Sequence, residues 1–144
     1  MEAEQKIDQN VRQAVPFFLV TDMARSVRFY IEGLGFKMTH QWVVDEKLRW
    51  CWLELGGAAM MLQEPMREGP DAHILPAGLG EGVSINFTCR DALEIYHRMT
   101  QQRIEVRRPF VGNSNWEVHL KDPDGYNLVF VSHTDVPEET LYNG

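Results

Sequence analysis

Trp116-Glu117-Val118-His119-Leu120-Lys121-Asp122-Pro123-Asp124-Gly125-Tyr126-Asn127-Leu128-Val129-Phe130-Val131 reads as strand, tight turn, strand. Val118 and Leu120 alternate with Glu117, His119 and Lys121, a period of two, and Leu128 and Phe130 resume it after the turn. In Asp122-Pro123-Asp124-Gly125 the proline presets φ, the aspartates bond nearby backbone and the glycine supplies φ > 0. Function turns on which side chains of this hairpin face a core and which face a cavity.

Upstream of the hairpin the order of elements repeats. Residues 14–20 form an apolar run of strand length, with Pro16 suited to a strand's start or a sheet edge. Asp22 can cap a helix whose stripe is Met23, Val27, Tyr30, Ile31 and Leu34, and Gly35 stands where a C-terminal cap belongs. Strands are expected over 36–44, 48–55 and 58–64, separated by Asp45-Glu46-Lys47 and Gly56-Gly57. A Gly- and Pro-rich linker covers 66–81. A fifth strand over 82–89, a helix capped by Asp91 with the stripe Ala92, Ile95, Tyr96 and Met99, a strand over 105–111 and the hairpin then follow. The chain therefore divides into a polar tail (1–13), a βαβββ module (14–65), the linker (66–81), a second βαβββ module (82–134) and an acidic tail (135–144).

A chain of 144 residues suits one domain, or two half-domains sharing a core, and 44% apolar residues suffice to build it. The net charge of −7 argues against nucleic acid as a partner; it suits a cationic small ligand, or simply serves solubility. No apolar run reaches membrane-span length, and the polar Met1–Lys6 stretch carries no apolar signal region. Cys51 and Cys89 lack CxxC spacing and read as free thiols. A cytoplasmic protein is expected.

The duplicated βαβββ order, the helix ending Phe29-Tyr30-Ile31-Glu32-Gly33-Leu34-Gly35-Phe36 and the closing Asp-Pro-Asp-Gly hairpin resemble the vicinal oxygen chelate superfamily. That group holds glyoxalases, extradiol dioxygenases, fosfomycin-resistance enzymes and bleomycin-resistance proteins. The resemblance covers about residues 14–133. It implies an α+β fold in which a cupped eight-stranded mixed sheet, made of two tandem modules, carries its helices outside, and a homodimer.

Metal-using members place a His in the first strand, a His in the fifth, a Glu four residues after the glycine of the last turn and, in some, an acid in the fourth strand. Here those positions fall at Val15, at Gly82 or Ser84, at Val129, and at Met61 or Gln63. Valine offers a cation no lone pair, and a divalent site needs about three ligands. No metal and no other cofactor are expected.

Helices bury their stripes on one sheet face, so Val83, Ile85, Phe87, Leu128 and Phe130 suit the core. Phe17, Ser84, Asn86 and Val129 then turn towards the cup. Glu117 and His119 share that parity. His119 either hydrogen-bonds or proton-transfers to a ligand, or is a strand-edge histidine in solvent. His40, His73, His97 and His133 are not at ligand spacing. Trp50 and Trp52 are expected in the cup because Arg49, Cys51 and Leu53 suit it less, and Trp116 ahead of the hairpin is grouped with them as a stacking surface. The expected ligand-binding set is Phe17, Trp50, Trp52, Met61, Gln63, Ser84, Asn86, Trp116, Glu117, His119 and Val129.

The closest resemblance is to the metal-free bleomycin-resistance branch, which implies sequestration of an aromatic or cationic small molecule. The alternative is a lyase, isomerase or dioxygenase relative with an unplaced metal site, or with acid–base chemistry from His119 and Glu117. A cup-shaped regulatory binding module also fits the sequence.

Overall fold

The computed structural model describes residues 10–144 except Asp71 and His73, so the first nine residues of the polar segment and one of the five histidines lie outside it. The first half runs β1 (Phe17–Leu19), α1 (Met23–Val27), a π-helical continuation (Arg28–Leu34), β2 (Lys37–Val44), β3 (Lys47–Leu55) and β4 (Ala58–Gln63). The second runs β5 (Ser84–Thr88), α2 (Ala92–Gln101), β6 (Phe110–Gly112), β7 (Asn115–Lys121) and β8 (Asn127–His133).

The eight strands form two four-stranded mixed sheets of identical connectivity, β1-β4-β3-β2 and β5-β8-β7-β6, so the fold is α+β. In each, the first strand lies parallel to the fourth and the remaining pairs are antiparallel. The β2–β3 and β6–β7 hairpins turn through Asp45-Glu46 and Asn113-Ser114, all four at positive φ, the backbone twist that two-residue hairpin turns require.

The repeat extends to polar detail. Asp22 accepts from the Arg25 amide and Asp91 from the Leu93 amide, capping the two helices. One residue beyond β4, the buried Glu64 carboxylate accepts from the Met23 amide at 2.8 Å; within β8, the buried Ser132 hydroxyl accepts from the Ala92 amide at 2.8 Å. Each fourth strand thus satisfies the first free amide of the helix above it.

Strand alternation puts Phe18, Cys51, Leu53, Met60 and Leu62 of the first sheet, and Val118, Leu120, Leu128 and Phe130 of the second, under the helices. They join Met23, Tyr30, Leu34, Phe36, Ala92 and Met99 in one core. The Asp-Pro-Asp-Gly turn does more than reverse the chain. Asp122 is buried and accepts from the Tyr30 hydroxyl (2.8 Å) and from the Asp124 and Tyr126 amides (both 2.9 Å). Asp124 accepts from Thr21 and pairs with Arg25 at 3.2 Å. The Tyr126 hydroxyl donates to the Leu19 carbonyl, and its ring stacks on Phe18 at 4.0 Å. The tip of the second half is thereby docked into the β1–α1 junction of the first.

Three features depart from the sequence reading. The first helix widens to π winding from Arg28, and Ser26, in the α-helical turn before it, is buried in the core. The strand expected over 105–111 pairs with β7 only at 110–112; before it, the Arg107 amide alone donates to the His119 carbonyl, and Pro109 has no amide to give. The acidic C-terminal segment packs along β6: the Val111 amide donates to the Thr140 carbonyl, Glu139 donates back to Val111, and Tyr142 donates to Pro109. Its Glu138 carboxylate caps the Asn113-Ser114 turn, accepting from both amides. Among the described residues no helix is long and apolar enough to cross a membrane.

Candidate functional site

The face of each sheet turned away from the helices is open. On the first half it carries Phe17 and Leu19 from β1, Trp50 and Trp52 from β3, and Met61 and Gln63 from β4, with Phe17 beside Met61 and Trp52 between Met61 and His40 in register. His40 and Trp42 of β2 join them opposite Trp52 and Trp50. The His40 ring meets Trp52 edge to face at 6.3 Å. Trp42 is 56% exposed and Phe17 49%, large fractions for aromatic side chains on a regular sheet. Gln63, Leu19 and Trp42 also line a cleft of about 390 Å³ with Arg49 and Met66.

The open face of the second half is polar. Ser84, Asn86 and Thr88 of β5 are exposed on it, and the Asn86 amide donates to the Ser84 hydroxyl at 3.2 Å. Val129 lies in register between Asn86 and His119 and is buried. His119 Nε2 donates to Glu117 Oε1 at 2.9 Å. Phe110 stacks on the imidazole at 5.4 Å with the rings 21° apart. Gly112 makes room for the acid: a Cβ there would fall 2.3 Å from Glu117 Oε2. The pair is held on three sides, by Phe110, Gly112 and the sheet beneath.

Trp116 is not part of this face. The alternation that exposes Glu117 and His119 sends Trp116 the other way, opposite Ser132, with its ring 5.5 Å from Tyr142 of the C-terminal segment. Grouping it with the cup-lining tryptophans is corrected on that ground. The remaining expected residues fall on the two open faces, the aromatic ones on the first half and the polar ones on the second.

A chelated metal does not fit these residues. The second half's open face offers the His119 imidazole and the Glu117 carboxylate, with Val129 in the middle of the patch, and its other imidazole, His133, lies at the far end of β8 beside Asp135. Among the described residues no three His, Cys, Asp or Glu side chains come together as a ligand set. The thiols are unsuited to nucleophilic work: burial pushes Cys51 up to about 11 and also raises Cys89.

The model of the Glyoxalase/Bleomycin resistance protein/Dioxygenase superfamily matches residues 12–130. The chain belongs to that superfamily. Solved structures with the same superfamily fold include TioX from Micromonospora sp. ML1 (19% identity, TM-score 0.67, 86% of this chain and 100% of that one). A bleomycin-binding protein complexed with bleomycin gives 21% identity and a TM-score of 0.66 over 86% of this chain and 100% of that one. A bleomycin resistance determinant encoded on the transposon Tn5 gives 22% and 0.66 over 85% and 98%. At these identities the likeness establishes the fold. No curated protein matches the sequence.

On this superfamily scaffold, sequence reasoning missed His40 as a partner of Trp52, and Phe110 and Gly112 as the frame of the His119–Glu117 pair. Met38 lies opposite Leu53 on the core face, and strict alternation would send His40 and Trp42 after it. A bulge between Met38 and His40 turns them to the open side instead. Nothing in residues 38–40 announces that bulge. Gly112 did carry a signal, a glycine beside a strand end, which also marks close approach of another group.

Proposed function

We propose that this chain is a metal-independent small-molecule-binding protein that holds a flat aromatic or cationic ligand against the open face of its first half. The observation that carries this reading is the cluster of Phe17, Trp42, Trp50 and Trp52 on one face, with Phe17 and Trp42 half in solvent. Aromatic faces stack flat rings and attract cations, contributing about 0.5–2 kcal/mol per contact. The same side chains left bare form an apolar surface of the kind that marks a binding site. Two fold relatives, the bleomycin-binding protein and the antibiotic binding protein TnmS3 from Streptomyces sp. CB03234, support this class of function.

The cup itself is completed by a second copy, so that the aromatic face of one chain meets the polar face of its partner. The exposure of both faces in the single chain supports this arrangement. The two free thiols support a reducing, cytoplasmic compartment. Calorimetric titration with bleomycin, with smaller cationic aromatic compounds and with neutral and anionic aromatic compounds tests the reading. Binding that Trp52→Ala weakens at least about tenfold supports it, and absence of heat with every compound overturns it.

The His119–Glu117 hydrogen bond favours a second reading, an enzyme in which that pair moves a proton. Elemental analysis of protein purified without chelators separates the metal-dependent version of it: stoichiometric Zn, Ni, Mn or Fe would sink the metal-independent proposal.

A further inference from the structure

Beside the His119–Glu117 pair lies a cleft of about 390 Å³ whose lining includes Arg107, His119 and Lys121. Arg107 and Lys121 make no ion pair among the described residues. Two carboxylates stand near these two fixed cations: Glu105 lines the cleft, and Glu117 is engaged by His119 Nε2 at 2.9 Å. In a chain of net charge −7, two cations without an ion-pair partner in one cleft run against the overall balance. Charges further off than about 8 Å are screened at physiological ionic strength, so it is the nearby groups that an entering ligand feels.

The guanidinium is also pre-positioned. Its carbon stands 4.8 Å over the Phe110 ring, and that ring stacks on His119, which Glu117 holds in turn. A guanidinium stacked on an aromatic face keeps its N–H donors in the plane, free for a planar bidentate acceptor. Lys121, two residues beyond His119 on the same face of β7, adds a point charge to the cleft lining.

We propose that the cleft formed by Arg107, His119 and Lys121 binds an anionic group of the ligand, a carboxylate, so that the ligand class of the site is an aromatic acid. This rests on the reading that the open faces form the ligand site, and it adds to the aromatic platform a charged anchor on the second half. Arg107 engages the carboxylate through its fork, and Lys121 neutralises the remaining charge.

Two probes separate the parts. Acetate, which has no ring, is titrated while the His119 ring signals are followed by NMR. Saturable shifts in the wild type that are lost in Arg107→Gln and Lys121→Gln, and retained in part in Arg107→Lys, support the anchor; no saturable shift overturns it. Tryptophan fluorescence is then followed with 2-naphthoate and with 2-naphthamide. Naphthoate binding about tenfold or more tighter than the amide, with the gap closed by Arg107→Gln, is the expected result. Equal binding of the two overturns the anchor and leaves the aromatic platform standing. A saturable acetate shift with no quenching by either naphthyl compound keeps the anchor and overturns the platform.

Discussion

Ser26 puts a hydroxyl into the core with no exposure and, among the described residues, no hydrogen-bond partner. An unmet buried polar group costs about 1–3 kcal/mol, and alanine also forms helix more readily. Ser26→Ala is therefore expected to raise stability by about 1 kcal/mol, read as a higher urea midpoint at unchanged slope. Gly112 makes the opposite kind of demand. The atom a new Cβ would strike is the far end of the Glu117 side chain, which can swing away. Gly112→Ala should leave the fold intact and pull the carboxylate off His119, so that its imidazole NMR signals match those of Glu117→Gln. Residues of both kinds were hard to read in sequence. Ser26 stands three residues after Met23 and four before Tyr30, on the buried stripe, but its hydroxyl makes it read as one of the helix's polar positions, and the size limit at Gly112 depends on a partner across the strand pair. Trp50 and Trp52, by contrast, were legible, because Arg49, Cys51 and Leu53 left the pair only one face to take. The same counting, applied to Glu117 and His119, excludes Trp116.

Two carboxylates at element junctions titrate in opposite directions. Burial pushes Asp122 above the usual carboxylate range, although the Tyr30 hydroxyl and two amides pull it down. Burial also acts to raise Glu64, but the Lys47 ammonium 2.7 Å away, the Met23 amide and the charge of Arg49 outweigh it and hold the group below its ordinary value. The signs follow from proton linkage. Native Asp122 keeps its proton to higher pH than the unfolded chain does, so its contribution falls as pH rises from about 3.8 to the raised native value. Native Glu64 gives its proton up more readily, so its contribution is full above about 4.5 and is lost as pH falls through the depressed native value. Asp122→Asn should thus be at least as stable as wild type at pH 7, with wild type gaining on it in acid. Glu64→Gln should be less stable than wild type at pH 7, by about 1–3 kcal/mol, with the difference shrinking in acid. Urea midpoints between pH 3 and 7 check both. At this scale the sequence showed the turn and its acids, and not their target. Asp122 meets Tyr30 across 92 residues, a pairing that no local pattern encodes. The β2 bulges and the packing of 138–142 along β6 are of the same sort, set by partners distant in the chain.

The molecule as a whole has one aromatic open face and one polar open face, and neither is covered by the described residues of a single chain. Sedimentation at micromolar concentration is expected to give a dimer. Trp42→Glu, at an exposed site away from the shared core, should shift that equilibrium to monomer with an unchanged circular dichroism spectrum. A monomeric wild type would mean that the two faces bind separately. The duplicated architecture was readable because turns, caps and alternation recur in the same order twice. The divergence of the two faces was readable only in outline, since it needed the register of every strand. On the function proposed above, that divergence lets the second half anchor a ligand and the first half stack it.

The docking of Asp122, Asp124 and Tyr126 into the β1–α1 junction has a bearing on synthesis. The Thr21 amide and hydroxyl find their acceptor 103 residues later, and the Leu19 carbonyl finds its donor 107 residues later. At typical elongation rates the first module waits about 5–20 s on the ribosome with this end of its core uncovered. During that interval Phe18 lacks the Tyr126 ring that caps it. The nascent first half is thus a candidate client for holding chaperones, and a ribosome stalled before Tyr126 should display a chain sensitive to protease where one stalled well past the C-terminal segment is resistant.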